Sequence, residues 1–141
     1  MEISDKERAF IEETGLVFEQ TGIPRMAGRL FGWLLISDPP YQSPAELAEA
    51  LQASKGSIST SVRLLRQLGF IQRYVIPGSR HDHFHLTDDA VVQVIRHGLE
   101  EEIHLFRDLA ERGLKLTDGI PAARKTRLEE MRRRYAYLEK A

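Results

Sequence analysis

The sequence predicts a mainly α-helical protein with one small β-hairpin. Two observations indicate this class: apolar residues recur at helical spacing along most of the chain, whereas residues 70–87 alternate with a period of two around a turn. At 141 residues the chain is long enough to bury a core. The longest apolar stretch, around residues 30–36, is too short to cross a bilayer, and the acidic N-terminus lacks the apolar segment of a secretory signal.

Composition restricts the chemistry that the chain can perform. It contains no cysteine, which excludes disulfides, thiolate zinc sites and cysteine nucleophiles and is typical of the cytoplasm. The formal net charge is −1, so any affinity for nucleic acid must come from local clustering of charge. Such clustering is present: residues 54–81 hold five bases and no acid, residues 88–112 are acidic, and residues 124–134 are basic.

Two helices are expected in the N-terminal part. Residues 4–20 have helical apolar spacing, and Pro24 is suited to the first turn of a second helix over residues 24–37. Within that second helix Gly28 and Gly32 are four residues apart. Two glycines on one helical face allow another element to approach closely.

A helix–turn–helix is expected next. Residues 43–46, Ser-Pro-Ala-Glu, form a capping box with proline at the first helical position, which predicts a short helix over residues 44–51. Ser54 is suited to cap a second helix, and Gly69 is suited to the left-handed residue after it. The inward face of this second helix consists of Ile58, Val62 and Leu65. Its opposite face is polar and free of acids.

A β-hairpin follows the helix–turn–helix. The alternating segments FIQRYVI (70–76) and HFHLT (83–87) predict two strands, and PGSRHD (77–82) predicts the turn between them. A hairpin directly after a helix–turn–helix is a wing. The predicted fold is therefore a winged helix–turn–helix flanked by N- and C-terminal helices.

The C-terminal part predicts two further helices that contact a second copy of the chain. Residues 87–89, Thr-Asp-Asp, are suited to cap a long helix, residues 113–121 predict a break, and residues 121–140 predict a last helix with a coiled-coil-like seam. The apolar stripe of the long helix is wide; it consists of Val91, Val92, Ile95, Leu99, Ile103, Leu105, Phe106, Leu109 and Ala110. So broad a stripe predicts contact both with the core and with a partner protomer.

Three segments resemble MarR-type winged-helix transcriptional regulators. These are GIPRMAGRLFGWLLISDPP (22–40), SPAELAEALQASKGSISTSVRLLRQLGFIQR (43–73) and PGSRHDHFHL (77–86). Within that group they most resemble the GbsR branch, named for regulation of glycine betaine synthesis. The resemblance implies DNA binding and pairing of two protomers through the flanking helices. GbsR-like proteins are associated with choline and related quaternary ammonium compounds, so it also implies a small-molecule effector, for which no contact residue is assigned.

These features divide the chain into three expected regions. Residues 1–21 form an N-terminal helix for support or dimerisation. Residues 22–87 form the winged helix–turn–helix DNA-binding domain, and residues 88–141 form a C-terminal helical dimerisation region.

The helix after Ser54 is the expected reader of DNA bases. The major groove admits one α-helix, and residues near the N-terminus of that helix reach base edges. Gly56 would allow close approach, Ser59 and Thr60 can exchange hydrogen bonds, and Arg63 can form a fork to guanine. Phosphate is expected at the start of the helix, where free N–H groups stand beside Ser54, Lys55 and Ser57.

The wing is the expected second contact with DNA. Arg80 at its tip is suited to a narrow minor groove, and Asp82 is expected to orient Arg80 through an ion pair. Arg73 on the entering strand is expected to contact phosphate. The complete predicted DNA-binding set is Ser54, Lys55, Gly56, Ser57, Ser59, Thr60, Arg63, Arg73, Ser79 and Arg80.

Two groups of histidines could be interpreted as metal sites, although this interpretation is less favoured. His97 and His104 are seven residues apart on the long helix with Glu101 between them, a pattern compatible with metal sensing. A second set alternates on one predicted strand face: His81, His83 and His85. Imidazoles are common on solvated surfaces, and no cysteine supports either set, so we expect neither a metal nor a cofactor.

Two arginines on the second helix permit two interpretations. Arg25 and Arg29 are spaced i, i+4, so they either contact phosphate or occupy a solvated helix face. Catalysis is not expected anywhere, because the sequence shows no Ser-His-Asp motif, phosphate-binding glycine loop or paired-acid motif.

The combined sequence features predict a homodimeric, cytoplasmic, sequence-specific DNA-binding regulator, expected to be a repressor. Its partners would be double-stranded DNA, a second copy of the chain and a small-molecule effector, with no membrane partner. The operator would be pseudo-palindromic, with half-sites about 34–36 Å apart or a multiple of this distance. Two alternatives stay open: a winged-helix protein-interaction module without DNA binding, and a non-specific architectural DNA binder.

Overall fold

The structure, a computed structural model, describes residues 2–116, 119 and 121–140. It is mostly helical with one two-stranded antiparallel sheet, which confirms the predicted fold class. The chain divides into two compact units, Met1–Val94 and Ile95–Ala141.

The elements follow the predicted order along the chain. The first unit holds helices α1 and α2, the helix–turn–helix pair α3 and α4, and the hairpin strands β1 and β2. Helix α5 crosses from the first unit into the second, where a short 3₁₀ turn precedes α6. The bounds are α1 Asp5–Gln20, α2 Arg25–Ile36, α3 Pro44–Leu51, α4 Lys55–Gln67, β1 Ile71–Tyr74, β2 His83–Leu86, α5 Ala90–Leu116, the 3₁₀ turn Ala122–Arg124 and α6 Thr126–Lys140.

Side-chain caps begin three of these helices. At α3 the predicted capping box is present: Ser43 Oγ accepts from the Glu46 N–H at 3.1 Å, and Glu46 Oε1 accepts from the Ser43 N–H at 2.9 Å. Ser4 and Glu7 form a second capping box at α1. At α4 the Ser54 hydroxyl accepts from the Ser57 N–H at 3.1 Å, as the sequence predicts.

Glycines bring α1 and α2 into close contact. A Cβ added at Gly28 would lie 2.6 Å from the Phe18 Cβ and 2.9 Å from the Gly15 Cα, and one added at Gly32 would lie 2.8 Å from the Thr14 Cβ. The expectation of close approach at Gly28 and Gly32 is therefore confirmed, with α1 as the approaching element.

The core of the first unit joins all of its helices to the sheet. Phe31 lies 5.0 Å from Phe18 and 5.9 Å from Phe70 between ring centroids, so α1, α2 and the start of the hairpin meet in one aromatic cluster. Trp33 is 1% exposed, and its indole N–H donates to Gln42 Oε1 at 3.2 Å. Gln42 is itself buried and pairs with Phe84 through two backbone hydrogen bonds, which fastens the wing to α2.

The hairpin is shorter than the predicted strands 70–76 and 83–87. Its register pairs Ile71 with Leu86 and Tyr74 with His83. The chain leaves the ladder after Tyr74 because it enters a turn, in which the Ser79 N–H donates to the Ile76 carbonyl at 3.1 Å. Gly78 occupies the left-handed position of this turn at φ 82°.

Of the residues 87–89 expected to cap α5, Thr87 has a different role. The Thr87 hydroxyl donates to the Gly69 carbonyl at 2.9 Å, so it joins the end of the wing to the end of α4. Asp89 does act at the helix start, where its carbonyl accepts from the Gln93 N–H and its carboxylate accepts from the Gln93 amide.

The predicted break at residues 113–121 also needs correction, because α5 continues to Leu116. Gly113 serves packing: a Cβ there would lie 3.0 Å from Leu128 Cδ2 of α6. Phe106 stacks on Tyr135 at 5.5 Å between centroids, so α5 and α6 run antiparallel in the second unit. Residues 117, 118 and 120 of the expected break lie outside the described residues.

Candidate nucleic-acid interface

Helix α4 presents a polar face to solvent because its apolar residues all turn inward. Ile58, Val62 and Leu65 are buried, as their i, i+4, i+7 spacing predicts, and Ser61 is buried with them. Most of the predicted base-reading and phosphate residues lie on the opposite face. Those exposed are Ser54, Lys55, Gly56, Ser59, Thr60 and Arg63, and Ser57 is half-buried.

The start of α4 favours an anion. The first turn of this described helix carries no acid, and Lys55 is its first residue. Backbone N–H groups that lack an intrahelical partner give a helix N-terminus a partial positive charge. Ser54 accepts from one of these groups, the Ser57 N–H, and the remaining positive potential is available to a phosphate.

Gly56 lies on this exposed face with no packing partner. A Cβ added there would meet no described heavy atom within 4 Å, so α4 gains no internal packing from the glycine. Thr60 donates its hydroxyl to the Gly56 carbonyl at 3.0 Å, which leaves the oxygen of that hydroxyl able to accept a hydrogen bond.

The tip of the wing carries Ser79 and Arg80 in solvent. The Ser79 hydroxyl accepts from the His81 N–H at 3.2 Å, which shapes the loop on either side of Arg80. Within the described part of the chain, no carboxylate lies within 4.0 Å of the Arg80 or Arg63 guanidinium. Both cations are therefore available to an external anion.

Asp82 pairs with a different arginine from the one expected. Its Oδ1 lies 2.8 Å from the Nε of Arg73, whereas the sequence suggested a pair with Arg80. The register explains the difference: Arg73 pairs across the ladder with Phe84, so Asp82, two residues before Phe84, lies diagonally across from Arg73. Arg73 is exposed, but an acid within the wing already neutralises much of its charge.

Helix α4 and the wing border one groove of about 1030 Å³, which we call the basic groove. Lys55, Arg63 and Arg66 enter it from α4, and Arg80 enters it from the wing. Its remaining lining consists of Ser43, Pro44, Ala45, Ile58, Ser59, Val62, Gln67, His81, Asp82 and Phe84. The groove thus unites four cations whose positions are separated by up to 25 residues in the chain.

The start of α3 and the residue Arg66 are parts of this groove that the predicted set lacks. The Arg66 guanidinium lies over the Phe84 ring, 5.7 Å from its centroid, a cation–π geometry that directs the side chain toward the wing. The sequence contains a signal that could have placed Arg66 in the DNA-binding set, because Arg66 follows Arg63 by three residues on the acid-free helix. The start of α3 carried no such signal, because only the fold brings Ser43 to the groove.

Arg25 and Arg29 lie outside the basic groove, and Arg29 does not occupy a solvated face. Arg29 is 15% exposed and pairs with Glu12. Arg25 is exposed and donates to Glu19 at 2.9 Å, and this hydrogen bond holds the pKa of the Glu19 carboxyl below its usual value.

The histidines are distributed over three environments. His83 and His85 lie on β2, whereas His81 lies in the preceding loop, which corrects the expectation of one shared strand face. His104 lies 3.3 Å from Asp108 and 3.6 Å from Glu139. Across residues 2–116, 119 and 121–140, no group of three or more His, Asp or Glu side chains is arranged to hold a metal ion.

No helix in the described portion is both long and apolar enough to span a membrane.

Two family models match different parts of the chain. A MarR family model matches residues 21–81, which include the helix–turn–helix and most of the wing. A model for MmpR5-like MarR family transcriptional regulators matches residues 89–141.

Individual proteins show the same relationship. The HTH-type transcriptional regulator MmpR5 of Mycobacterium tuberculosis (strain ATCC 25618 / H37Rv) is 45% identical over 130 residues, which cover 92% of this chain and 78% of the relative. The crystal structure of a transcriptional regulator is 43% identical, covers 96% of this chain and 91% of its own, and superimposes with a TM-score of 0.68.

A more distant structure shares the fold alone. MepR, a transcription regulator of the Staphylococcus aureus multidrug efflux pump MepA, is 19% identical with a TM-score of 0.50 and covers 87% of this chain and 84% of its own. The similarity to MmpR5 extends over most of both sequences, and the basic groove lies between the second helix of a helix–turn–helix and its wing. The chain therefore belongs to the MarR family of DNA-binding, winged-helix transcriptional regulators.

Proposed function

We propose that the protein is a sequence-specific regulator that binds its operator as a homodimer through the basic groove. The observation that carries this proposal is the convergence of Lys55, Arg63, Arg66 and Arg80 on one groove beside the acid-free face of α4. Phosphate attraction alone would require only the positive charge. A helix with small residues and an unpaired arginine on its outer face adds the means to read base edges.

The roles follow from position along α4 and the wing. Gly56, Ser59 and Thr60 lie where a helix approaches base edges most closely, and Arg63 reaches a guanine from the next turn. Ser54, Lys55 and Ser57 hold a phosphate at the start of the helix. Arg80 enters the adjoining minor groove with Ser79 beside it, and Arg73 contacts the backbone by exchanging its bond to Asp82 for one to phosphate.

The second copy binds through the flanking helices. In the single chain Ile95, Leu99, Leu105 and Leu109 of α5 are each about half exposed or more, which leaves a long apolar stripe in water. We infer that this stripe, with the exposed Tyr137 and Leu138 of α6, forms the dimer interface. Residues 22–87 then act as the DNA-binding domain, 88–141 as the dimerisation region, and 1–21 as a supporting helix.

Repression and response to a ligand complete the proposal. A dimer bound across a promoter blocks transcription, and a ligand that changes the spacing of the two α4 helices releases both half-sites together.

The resemblance to the GbsR branch stays a prediction, because the matching family models are MarR and MmpR5-like. The protein acts in the cytoplasm, where its DNA lies. Membership in a family of regulators favours the expectation that it is not an enzyme.

The test is selection of bound sequences from random duplex DNA. Wild type is compared with Arg63→Ala, Arg80→Ala and a control, Arg25→Ala, which removes an exposed arginine outside the groove. We expect wild type and the control to enrich the same inverted repeat. Arg63→Ala should lose discrimination of about 1–3 kcal/mol at one base pair of each half-site. Arg80→Ala should weaken binding without changing the bases preferred in the major groove.

Three results would contradict the proposal. Absence of enrichment at low salt would favour a protein-interaction module, to be pursued with acidic partners. Enrichment of no sequence despite tight, strongly salt-dependent binding would indicate an architectural DNA binder. A single half-site, bound equally well by a monomer, would exclude the homodimer.

A further inference from the structure

Two arginines from the N-terminal helices hold the end of α3. Arg8 of α1 donates from Nη1 to the Ala50 carbonyl at 2.8 Å, and Arg29 of α2 donates from Nη2 to the Leu51 carbonyl at 3.0 Å. These carbonyls belong to the last turn of α3, where no intrahelical N–H is available to them. Both arginines thus supply the missing donors and place positive charge at the negative end of the α3 dipole.

Arg29 is held in place from several sides. Its Nε donates to Glu12 Oε1 of α1 at 2.8 Å, while its Nη1 lies 3.3 Å from the Met26 sulfur. Its stem fits against Gly15, where an added Cβ would come within 2.7 Å of the Arg29 Cγ. One guanidinium therefore joins α1, α2 and α3, and its position is determined by packing as well as by charge.

The contact with Leu51 lies directly before the turn that leads into α4. Gln52 follows in the left-handed conformation at φ 51°, and the Ala53 N–H donates back to the Ala48 carbonyl at 3.0 Å. Ser54 then caps α4. Because this turn is short and hydrogen-bonded, a displacement at the end of α3 is transmitted to the start of α4.

We propose that Arg29, supported by Glu12 and Arg8, is a positioning residue for DNA recognition, which sets the placement of α4 without touching DNA. The Arg29 guanidinium does not line the basic groove and bonds to the end of α3, so we expect its effect on α4 to pass through α3 and the turn. The wing has its own attachments, which are the pairing of Gln42 with Phe84, the bond from Trp33 to Gln42 and the bond from Thr87 to Gly69 at the end of α4. Arg29 bonds beside the start of α4, whereas the wing is fastened to the opposite end of that helix, so we expect Arg29 to act mainly on contacts made by the first turns of α4.

This inference rests on the proposed operator binding, and a thermodynamic cycle tests it. Operator affinity is measured for Arg29→Lys, for Arg63→Ala and Arg80→Ala, and for each double variant. Lysine retains the charge, but a single ammonium cannot reproduce the directed bonds to both Glu12 and Leu51. We expect Arg29→Lys to lower operator affinity about tenfold, the scale usual for residues in one network.

The decisive readout is the coupling between substitutions. In the Arg29→Lys background, Arg63→Ala should cost a clearly smaller factor than in wild type, because the contact made by Arg63 is already displaced. The cost of Arg80→Ala should change less between the two backgrounds than the cost of Arg63→Ala. A purely structural role of Arg29 would lower the melting temperature and leave both factors unchanged.

Two further variants make the outcome unambiguous. Arg25→Lys is the matched control, because Arg25 lies one turn away on α2 and forms an exposed ion pair with Glu19; it should retain full affinity. If Arg29→Lys does not fold, the same cycle is measured with Glu12→Gln. Glu12 is about half exposed and pairs with Arg29, so this substitution weakens the support of Arg29.

The inference would be overturned if Arg29→Lys and Arg63→Ala had additive effects on operator affinity. Where Glu12→Gln replaces Arg29→Lys, additivity of Glu12→Gln with Arg63→Ala would overturn it in the same way. Failure of the wild type to bind any selected DNA would instead overturn the proposed function.

Discussion

At the scale of single residues, Gly56 combines a cost to the helix with no internal benefit. Glycine within a helix is less favourable than alanine by roughly 0.5–1 kcal/mol. Elsewhere in the chain such a cost allows close packing, as at Gly28, but the space around Gly56 is open. The proposed close approach of a base-pair edge to α4 would account for its presence.

We expect Gly56→Ala to stabilise the protein by up to about 1 kcal/mol and to weaken operator binding about tenfold. The added methyl group improves the helix but separates α4 from the major groove. Chemical denaturation measures the first effect and titration of labelled operator the second. Binding to random DNA serves as the control and should change little, because phosphate contacts persist. Unchanged operator affinity would show that α4 does not approach DNA at this residue.

At the scale of elements, the contact between α1 and α2 supports the whole helix–turn–helix. Gly28 and Gly32 permit this contact, and Arg8 and Arg29 extend it to the end of α3. The N-terminal helix thus reaches the DNA-reading module through side chains of α1 and α2. Helix α1 lies outside the helix–turn–helix in the sequence, but it is a structural support of α3.

We expect Gly28→Ala to destabilise the protein by about 1–3 kcal/mol, the usual cost of overpacking. Its Cβ would meet the Phe18 Cβ at 2.6 Å and the Gly15 Cα at 2.9 Å, so the backbones of α1 and α2 must separate. Denaturant titration measures the change, and Gly56→Ala provides the comparison, since the same substitution there meets no neighbour. Equal stability of the two variants would contradict the observed packing of α1 on α2.

At the scale of the whole molecule, the two units differ in how they bury apolar surface. The first unit encloses a core that contains Trp33, Phe70 and the aromatic cluster around Phe31. In the described part of the second unit only Ala110 is buried among the hydrophobic residues, and Leu105 and Leu109 remain 62% and 49% exposed. An exposed apolar surface of this kind is typical of an interaction site, and the proposed homodimer would cover it.

We expect the double variant Leu105→Glu and Leu109→Glu to convert the homodimer into a monomer. Two carboxylates would be buried without partners at the interface, which costs far more than the interface gains there. Sedimentation measures the mass, and operator affinity should fall by roughly 10²–10⁴ because the second half-site is no longer tethered. Arg112→Ala, an exposed change on the same helix, is the control. A wild-type monomer would contradict this model of assembly.

Local signals account for the parts of the fold that the sequence predicted well. The capping box at Ser43, the Ser54 cap and the inward row of Ile58, Val62 and Leu65 each involve residues within one or two helical turns, where spacing and hydrogen-bonding chemistry are sufficient. The same locality explains the errors. The sequence predicts a break at Gly113, because the packing partner of this glycine, Leu128, is distant in the sequence.

The sequence by itself determined the order of helices and strands, the acid-free face of α4 and the apolar stripe of α5, because each depends on periodicity and short-range capping. Only the tertiary structure decided which groups meet: Arg29 with Glu12 and Leu51, Asp82 with Arg73, and Thr87 with Gly69. It also decided that Arg66 and the start of α3 belong to the basic groove. These contacts join side chains to partners on other elements, so they exist only once packing has brought those elements together.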